Sequence, residues 1–316
     1  MKTPRPPTTT LFPMLRPRLG ALIAVIFWGM SFVATKAALR EVSPVTLITT
    51  RFAIGSVLLL LIVRRLPPRD AWPTLMLMGF AGIFVHQMLQ AYALTMTTAM
   101  HTGWLIGMTP IWSAILAALF LGERLGPIRI AGLAGGFTGA VLVITRGEWS
   151  SHVLQLPSTR GDLLILVSTV NWAIYSSIGH KTIRRLGPKV AMSGAMLAGT
   201  AMLLPFFIAQ RGWRELPHVT RSGWLAVLFL GIGCSGLGYL LWSNALEKVE
   251  LSRVASLLYL EPLITFATAA ALLHEPVSAA AVAGGMLVLV SVIATQYAPA
   301  IQRNAGADVL EQRRSA

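Results

Sequence analysis

The chain has 316 residues, of which 55% are hydrophobic and only 12% charged, and its formal charge is +14. Soluble domains carry about 25% charged residues, so a soluble globule of this length would lack the charged surface that its core requires. The positive charge does not mark a nucleic-acid binder: the basic residues are scattered through short breaks between apolar runs, without a stripe or interleaved aromatics.

The apolar runs fall near 19–39, 44–63, 72–94, 99–122, 128–145, 161–180, 190–210, 222–245, 252–273 and 278–298. Each is about 20 residues long, the length a helix needs to cross the hydrocarbon core. They predict an all-α integral membrane protein of ten transmembrane helices. The segment 1–18 is basic, Pro-rich and free of acids. The run after it is longer than a signal-peptide core and has no small-residue cleavage site, so it reads as a first span behind a tail. A polar linker, 146–160, divides the chain into five spans at 19–145 and five at 161–298, and a second tail covers 299–316. On alternate sides of ten spans, Lys and Arg number 18 against 7, with Arg51 inside a span. The positive-inside rule then puts both termini in the cytoplasm of a multi-pass cell-membrane protein, with a bacterial inner membrane expected.

The two groups of five spans match each other. A shift of 152 residues places Trp72 on Trp224, Gly79 on Gly231, Pro110 on Pro262, Glu123 on Glu275 and Gly132 on Gly284; upstream, a shift of 144 pairs Trp28 with Trp172 and Pro44 with Pro188. Trp, Pro and Glu seldom coincide in order by chance. Five is odd, so the two repeats enter the membrane with opposite orientations, the plan of many secondary transporters, whose sites lie at the midplane between the repeats.

Thr109-Pro110-Ile111-Trp112 with Leu121-Gly122-Glu123-Arg124 resembles the first repeat of EamA-type proteins of the drug/metabolite transporter superfamily. Glu261-Pro262-Leu263 with Leu273-His274-Glu275-Pro276 resembles the second, and Phe27-Trp28-Gly29 and Arg51-Phe52 fit as well. The resemblance covers about residues 19–298. It implies a 5+5 inverted arrangement, alternating access, and movement of small metabolites, often export of amino acids or related compounds. His274 and Pro276 replace Gly122 and Arg124 of the first repeat, so the turn after the ninth span is expected to differ from its partner.

Within the spans, polar residues are the candidates for function, because each is costly in lipid. Glu261 lies near the middle of its run; a carboxylate there costs roughly 2.5 kcal/mol or more. It is either a proton-coupling or amine-binding site, or a structural donor to a carbonyl freed by Pro262. Pro110 and Pro262 occupy equivalent mid-helix positions and are expected as kinks, either hinges or static bends. His86, Gln87 and Gln90 share one face of the third span, which suits a wet cavity or hydrogen bonds between helices. His101, near a helix end, is expected to be solvated. Trp28, Trp104, Trp172, Tyr175, Tyr239, Trp242 and Tyr259 are aromatic candidates for a site that takes amphipathic or cationic ligands; an interfacial belt is the alternative. Ser31, Met108 and Asn171 complete the expected substrate-binding set. Arg51 is expected to snorkel towards headgroups or to pair with a polar group. Glu123 and Glu275, at repeat-related helix ends, are expected to meet a helix N-terminus or an arginine.

Gly132, Gly135, Gly136, Gly139, Gly284 and Gly285 suit close helix packing, within one chain or between two, so monomer and homodimer both stay open. There is one cysteine and neither a phosphate-binding loop nor an H-E-x-x-H motif. No cofactor, metal or ATP drive is expected, and the expected partners are a small-molecule substrate and the bilayer. A membrane-embedded binding or scaffold protein without flux is the alternative to a transporter; an intramembrane enzyme would have to rely on Glu261 and His86.

Overall fold

The computed structural model describes residues 12–121, 126–148, 150, 155–178, 180–248 and 256–297. Gly122, Glu123, Arg124, most of both tails and part of the linker lie outside the described residues. No strand occurs among the described residues. The first half builds α1 (Phe12–Ala38), α2 (Pro44–Val63), α3 (Trp72–Met78, Gly79–Val85 and His86–Met96 in succession), α4 (Ala99–Ile106 and Thr109–Leu121) and α5 (Pro127–Thr145). The second builds α6 (Pro157–Ile178), α7 (Pro188–Ala209), α8 (Arg221–Leu228, Phe229–Gly238 and Tyr239–Lys248), α9 (Ser256–Leu260 and Glu261–Leu273) and α10 (Ala279–Tyr297).

Among these, α1, α2, α3, α5, α7 and α8 are long and apolar enough to cross a membrane by length and composition alone, and α9 and α10 are shorter apolar helices. Of the remaining two, α4 is broken at 107–108, and α6 is a continuous helix of 22 residues with Arg160 and Asp162 near its start. Large apolar side chains such as Leu61, Leu119 and Leu225 face outward, a surface that lipid accepts and water does not. Local chemistry sets the helix starts. Ser43 caps α2 through Thr46 N, with Pro44 in the first turn, where its missing N–H leaves no helical bond unmade. Thr98 and Thr220 cap α4 and α8 in the same way.

The repeats pack as a pseudo-twofold pair. Contacts come in matched sets: α1 with α9 and α6 with α4, α1 with α8 and α6 with α3, α2 with α8 and α7 with α3. Each of α2–α7, α4–α9 and α5–α10 joins a helix to its own repeat partner. The α5–α10 crossing is close in backbone terms: a Cβ on Gly139 would lie 2.5 Å from the Gly284 carbonyl oxygen, and one on Gly284 2.6 Å from that of Gly139. The glycine face read from the sequence therefore packs within the chain.

Both halves carry a π-helical stretch at the same register, Gly79–Val85 in α3 and Phe229–Gly238 in α8. Each wider turn re-aims the helix that follows. Pro110 and Pro262 correct the expectation of mid-helix kinks. Helix α4 stops at Ile106 and restarts at Thr109, while α9 changes from a 3-10 turn to an α-helix at Glu261. Each proline sits in the first turn of an α-helical segment, and the Ile106 carbonyl, which Pro110 cannot serve, accepts from Thr109 Oγ1 instead. In both halves a departure from α-helical geometry precedes the proline, a gap at 107–108 in α4 and a 3-10 turn running directly into Glu261 in α9.

Candidate functional site

A chamber of about 670 Å³ lies between the two halves. From α1 it takes Trp28 and Ser31, from α3 His86, Gln87 and Gln90, from α4 Trp104 and Pro110. From α6 come Trp172 and Tyr175, from α8 Tyr239 and Trp242, from α9 Tyr259, Glu261 and Pro262. Their positions follow the repeat. Trp28 and Trp172, Ser31 and Tyr175, Gln87 and Tyr239, and Gln90 and Trp242 are partners under the two shifts, and the last two pairs follow directly on the π-helical stretches. The duplication thus forms the chamber wall twice, with opposite orientations.

Rings form two banks. On one side Trp28 packs on Tyr239 and Trp242, with centroids 5.4 and 5.3 Å apart. On the other, Trp172 packs on His86 at 4.7 Å and on Tyr175 at 4.9 Å. Hydrogen bonds fix their orientations. Trp28 Nε1 donates to the Cys234 carbonyl at 3.2 Å, and Tyr175 donates its hydroxyl to Met192 Sδ at 3.4 Å. His86 Nδ1 lies 3.0 Å from the Ser168 carbonyl. A carbonyl only accepts, so Nδ1 carries a proton.

The polar lining divides into committed and uncommitted groups. The Ser31 hydroxyl donates to the Trp28 carbonyl at 2.6 Å, and Thr109 to that of Ile106 at 2.8 Å. By contrast, the Glu261 carboxyl and the Gln90 amide have no hydrogen-bond partner among the described residues.

Two expected lining residues are elsewhere. Met108 is fully buried in the apolar core beside Ile111, against Gly136 of α5; the break in α4 turns it away from the chamber. Asn171 is displaced because its side chain donates to the Ala81 carbonyl at 2.7 Å, tying α6 to the π-helical stretch of α3. Neither shift was legible, because each depends on where a neighbouring helix sits. Arg51, outside the expected lining set, pairs with a polar group, the second of its two expected roles. It does not snorkel: it is buried and lines the chamber, and its Nε donates to Ser235 Oγ at 2.8 Å.

The chamber is closed at the end of the bundle that carries the linker. There Lys36 donates to the Leu94 carbonyl at 2.8 Å and to that of Thr97, and Thr97 donates its hydroxyl to Asp162. His101 is not solvated: its Nδ1 donates to Asp162 Oδ2 at 3.0 Å and both side chains are buried. Glu275 accepts from Ala99 N at 2.8 Å and Met100 N at 2.9 Å, so the helix N-terminus expected as its partner is that of α4. At the opposite end the lining runs out to the exposed residues Arg184 and Glu247. Among the described residues, the lining therefore reaches exposed positions at that end.

Such a bundle, two related halves around an aromatic chamber sealed at one end, has the architecture of a multi-pass membrane transporter. The chain belongs to the EamA-like transporter family, which it matches over residues 16–145 and 159–296. It is 32% identical to an uncharacterized transporter of Archaeoglobus fulgidus, over 85% of this chain and 95% of that protein. A probable terminal-alkyne amino-acid exporter of Streptantibioticus cattleyicolor is 27% identical over 86% of this chain and 90% of its own. A probable amino-acid metabolite efflux pump of Escherichia coli is 26% identical over 85% and 91%. One solved crystal structure superposes with a TM-score of 0.61 at 22% identity, covering 95% of this chain and 99% of that one, a likeness of fold.

Proposed function

We propose that the chain is a secondary transporter that exports small amphipathic metabolites, amino acids or related compounds, by alternating access, with Glu261 exchanging a coupling proton. The observation that carries this reading is the Glu261 carboxyl. It is unpartnered among the described residues and faces an aromatic chamber between inverted halves. A carboxylate at such depth costs roughly 2.5–3.5 kcal/mol, so its charge changes readily with what occupies the chamber. An ammonium substrate and a proton would compete for it, which is the requirement for exchange. The charge bias puts the open end, near Arg184 and Glu247, on the cytoplasmic side. Substrate would load from the cytoplasm and leave through the end now sealed by Lys36, Thr97, Asp162 and His101. The printed names of the relatives from S. cattleyicolor and E. coli support the substrate class and the direction.

The test is flux in proteoliposomes under an imposed pH gradient, with substrates found by comparing metabolites in medium and cells with and without overexpression. Glu261→Gln is expected to keep counterflow exchange while losing the response to the gradient. An unchanged pH response in that variant excludes Glu261 as the coupling group. Absence of any counterflow by the wild-type protein excludes transport and favours a binding protein.

A further inference from the structure

We propose that Arg51 is the anion-binding residue of the chamber, its guanidinium holding a carboxylate of the transported molecule; this rests on the chamber being the substrate's site, as read above. Arg51 is 5% exposed and sits seven residues into α2. A guanidinium cannot shed its proton to escape burial, so a full positive charge stays in the bundle. The ion pairs among the described residues are His101–Asp162, Arg185–Asp70 and Lys189–Glu247. None of them includes Arg51. All its contacts are neutral: Ser235 Oγ from Nε at 2.8 Å, Gln87 Oε1 from Nη1 at a long 3.5 Å, and the Phe52 ring, 5.0 Å from Cζ.

These contacts fix the guanidinium plane without neutralising it. Ser235 is held under it by a close crossing of α2 and α8: a Cβ on Gly55 would lie 2.7 Å from Ser235 Cβ, and one on Gly231 2.8 Å from Ile54 Cβ. Of the five N–H donors, two are engaged. Nη2 has no protein partner among the described residues, and the residue lines the chamber. An oriented fork with a free edge matches a carboxylate, which takes two parallel hydrogen bonds from it. If Arg51 served only to tie α2, α3 and α8 together, an uncharged donor would do so without a buried charge lacking its counter-ion.

The repeat supports the same conclusion. Under the shift of 144, Arg51 falls on Ala195; under the shift of 152, Glu261 falls on Thr109. A structural role would be expected in both halves. Instead each half contributes one charge, of opposite sign, to one shared chamber. The aromatic banks take the apolar part of the ligand, and Glu261 with the ring faces takes a cationic group where one is present.

The test is a binding panel on the purified full chain in lipid nanodiscs. It compares L-phenylalanine, L-phenylalaninamide, 2-phenylethylamine and 3-phenylpropanoate, which vary the carboxylate and the amine separately. The wild-type protein is expected to bind L-phenylalanine and 3-phenylpropanoate more tightly than L-phenylalaninamide and 2-phenylethylamine. Arg51→Gln is expected to abolish that preference and leave 2-phenylethylamine affinity within about twofold. Arg51→Lys keeps the charge but loses the fork, and is expected to weaken the two carboxylates on the order of tenfold. It decides the matter should Arg51→Gln fail to fold. The proposal is overturned if the wild-type protein shows no preference for the carboxylates, if Arg51→Gln weakens all four probes equally, or if Arg51→Lys keeps the full preference. Counterflow in proteoliposomes separates this from the transporter reading: carboxylate preference without flux removes transport and leaves the anchor, while flux without carboxylate preference does the reverse.

Discussion

Two adjacent glycines of α10 face different partners, and the same substitution at each should give different consequences. A Cβ on Gly284 would sit 2.6 Å from the Gly139 carbonyl oxygen and 2.9 Å from Val143 N, both backbone atoms of α5. Reaching ordinary contact at 3.4 Å requires the two helices to part by 0.8 Å over that stretch. A Cβ on Gly285 would sit 2.0 Å from Trp104 Cδ2, so the indole must move by 1.4 Å to reach the same contact. Trp104 is 2% exposed and lines the chamber, so space for that movement lies on the chamber side. Overpacking costs roughly 1–3 kcal/mol, and replacing a helical glycine by alanine returns about 0.5–1 kcal/mol. Both variants are therefore expected to lose up to about 2.5 kcal/mol of stability. Only Gly285→Ala should also change the surroundings of Trp104. The assay pairs thermal unfolding with 19F NMR of protein labelled with 5-fluorotryptophan, the Trp104 line being assigned through Trp104→Phe. The packing argument is refuted if Gly284→Ala moves the Trp104 line as far as Gly285→Ala does, or if neither variant unfolds earlier than the wild type.

Asp162→Asn leaves one acceptor where the carboxylate serves both Thr97 and His101. Thermal unfolding should register a loss of about 1–3 kcal/mol from the group left unsatisfied, and a cysteine placed at the linker end should label faster as the seal loosens. Glu41 accepts from Thr220 N and Oγ1, both at 2.7 Å, and these bonds hold its carboxyl below the ordinary value of 4.5. Its contribution to stability is therefore complete above pH 4.5 and fades as pH falls through the lower folded-state value. The gap in unfolding temperature between wild type and Glu41→Gln should narrow at acid pH, and a gap that does not change with pH counts against the bond. Asn171→Leu removes the donor to the Ala81 carbonyl and should cost about 1–3 kcal/mol of stability by thermal unfolding, with no loss of chamber ligand affinity if Asn171 stays outside the lining.

What the sequence disclosed and what it hid divide along a physical line. Spacing, repetition and hydrophobicity belong to the chain, so the ten crossings, the two halves and most of the chamber wall were legible. The face carrying His86, Gln87 and Gln90 follows from helical periodicity alone. Partners across helices are not a property of any one segment. His101 looked like a solvated helix end because Asp162 lies sixty-one positions away. Arg51 was expected either to snorkel or to pair with a polar group, and the sequence could not choose between them because the partner, Ser235, stands 184 positions further on. Met108 was misplaced by the break in α4, and the break itself was hidden because a proline signals the same residue types whether it kinks a helix or starts one. The repeat helps to separate these cases. Features that recur in both halves, such as the π-helical stretches and the first-turn prolines, belong to the scaffold that the duplication made. Features that do not recur, Arg51 against Ala195 and Glu261 against Thr109, depart from that scaffold at the point where its two halves enclose one chamber. In a pseudo-symmetric bundle, a costly buried charge present in one half alone is therefore the first place to look for chemistry.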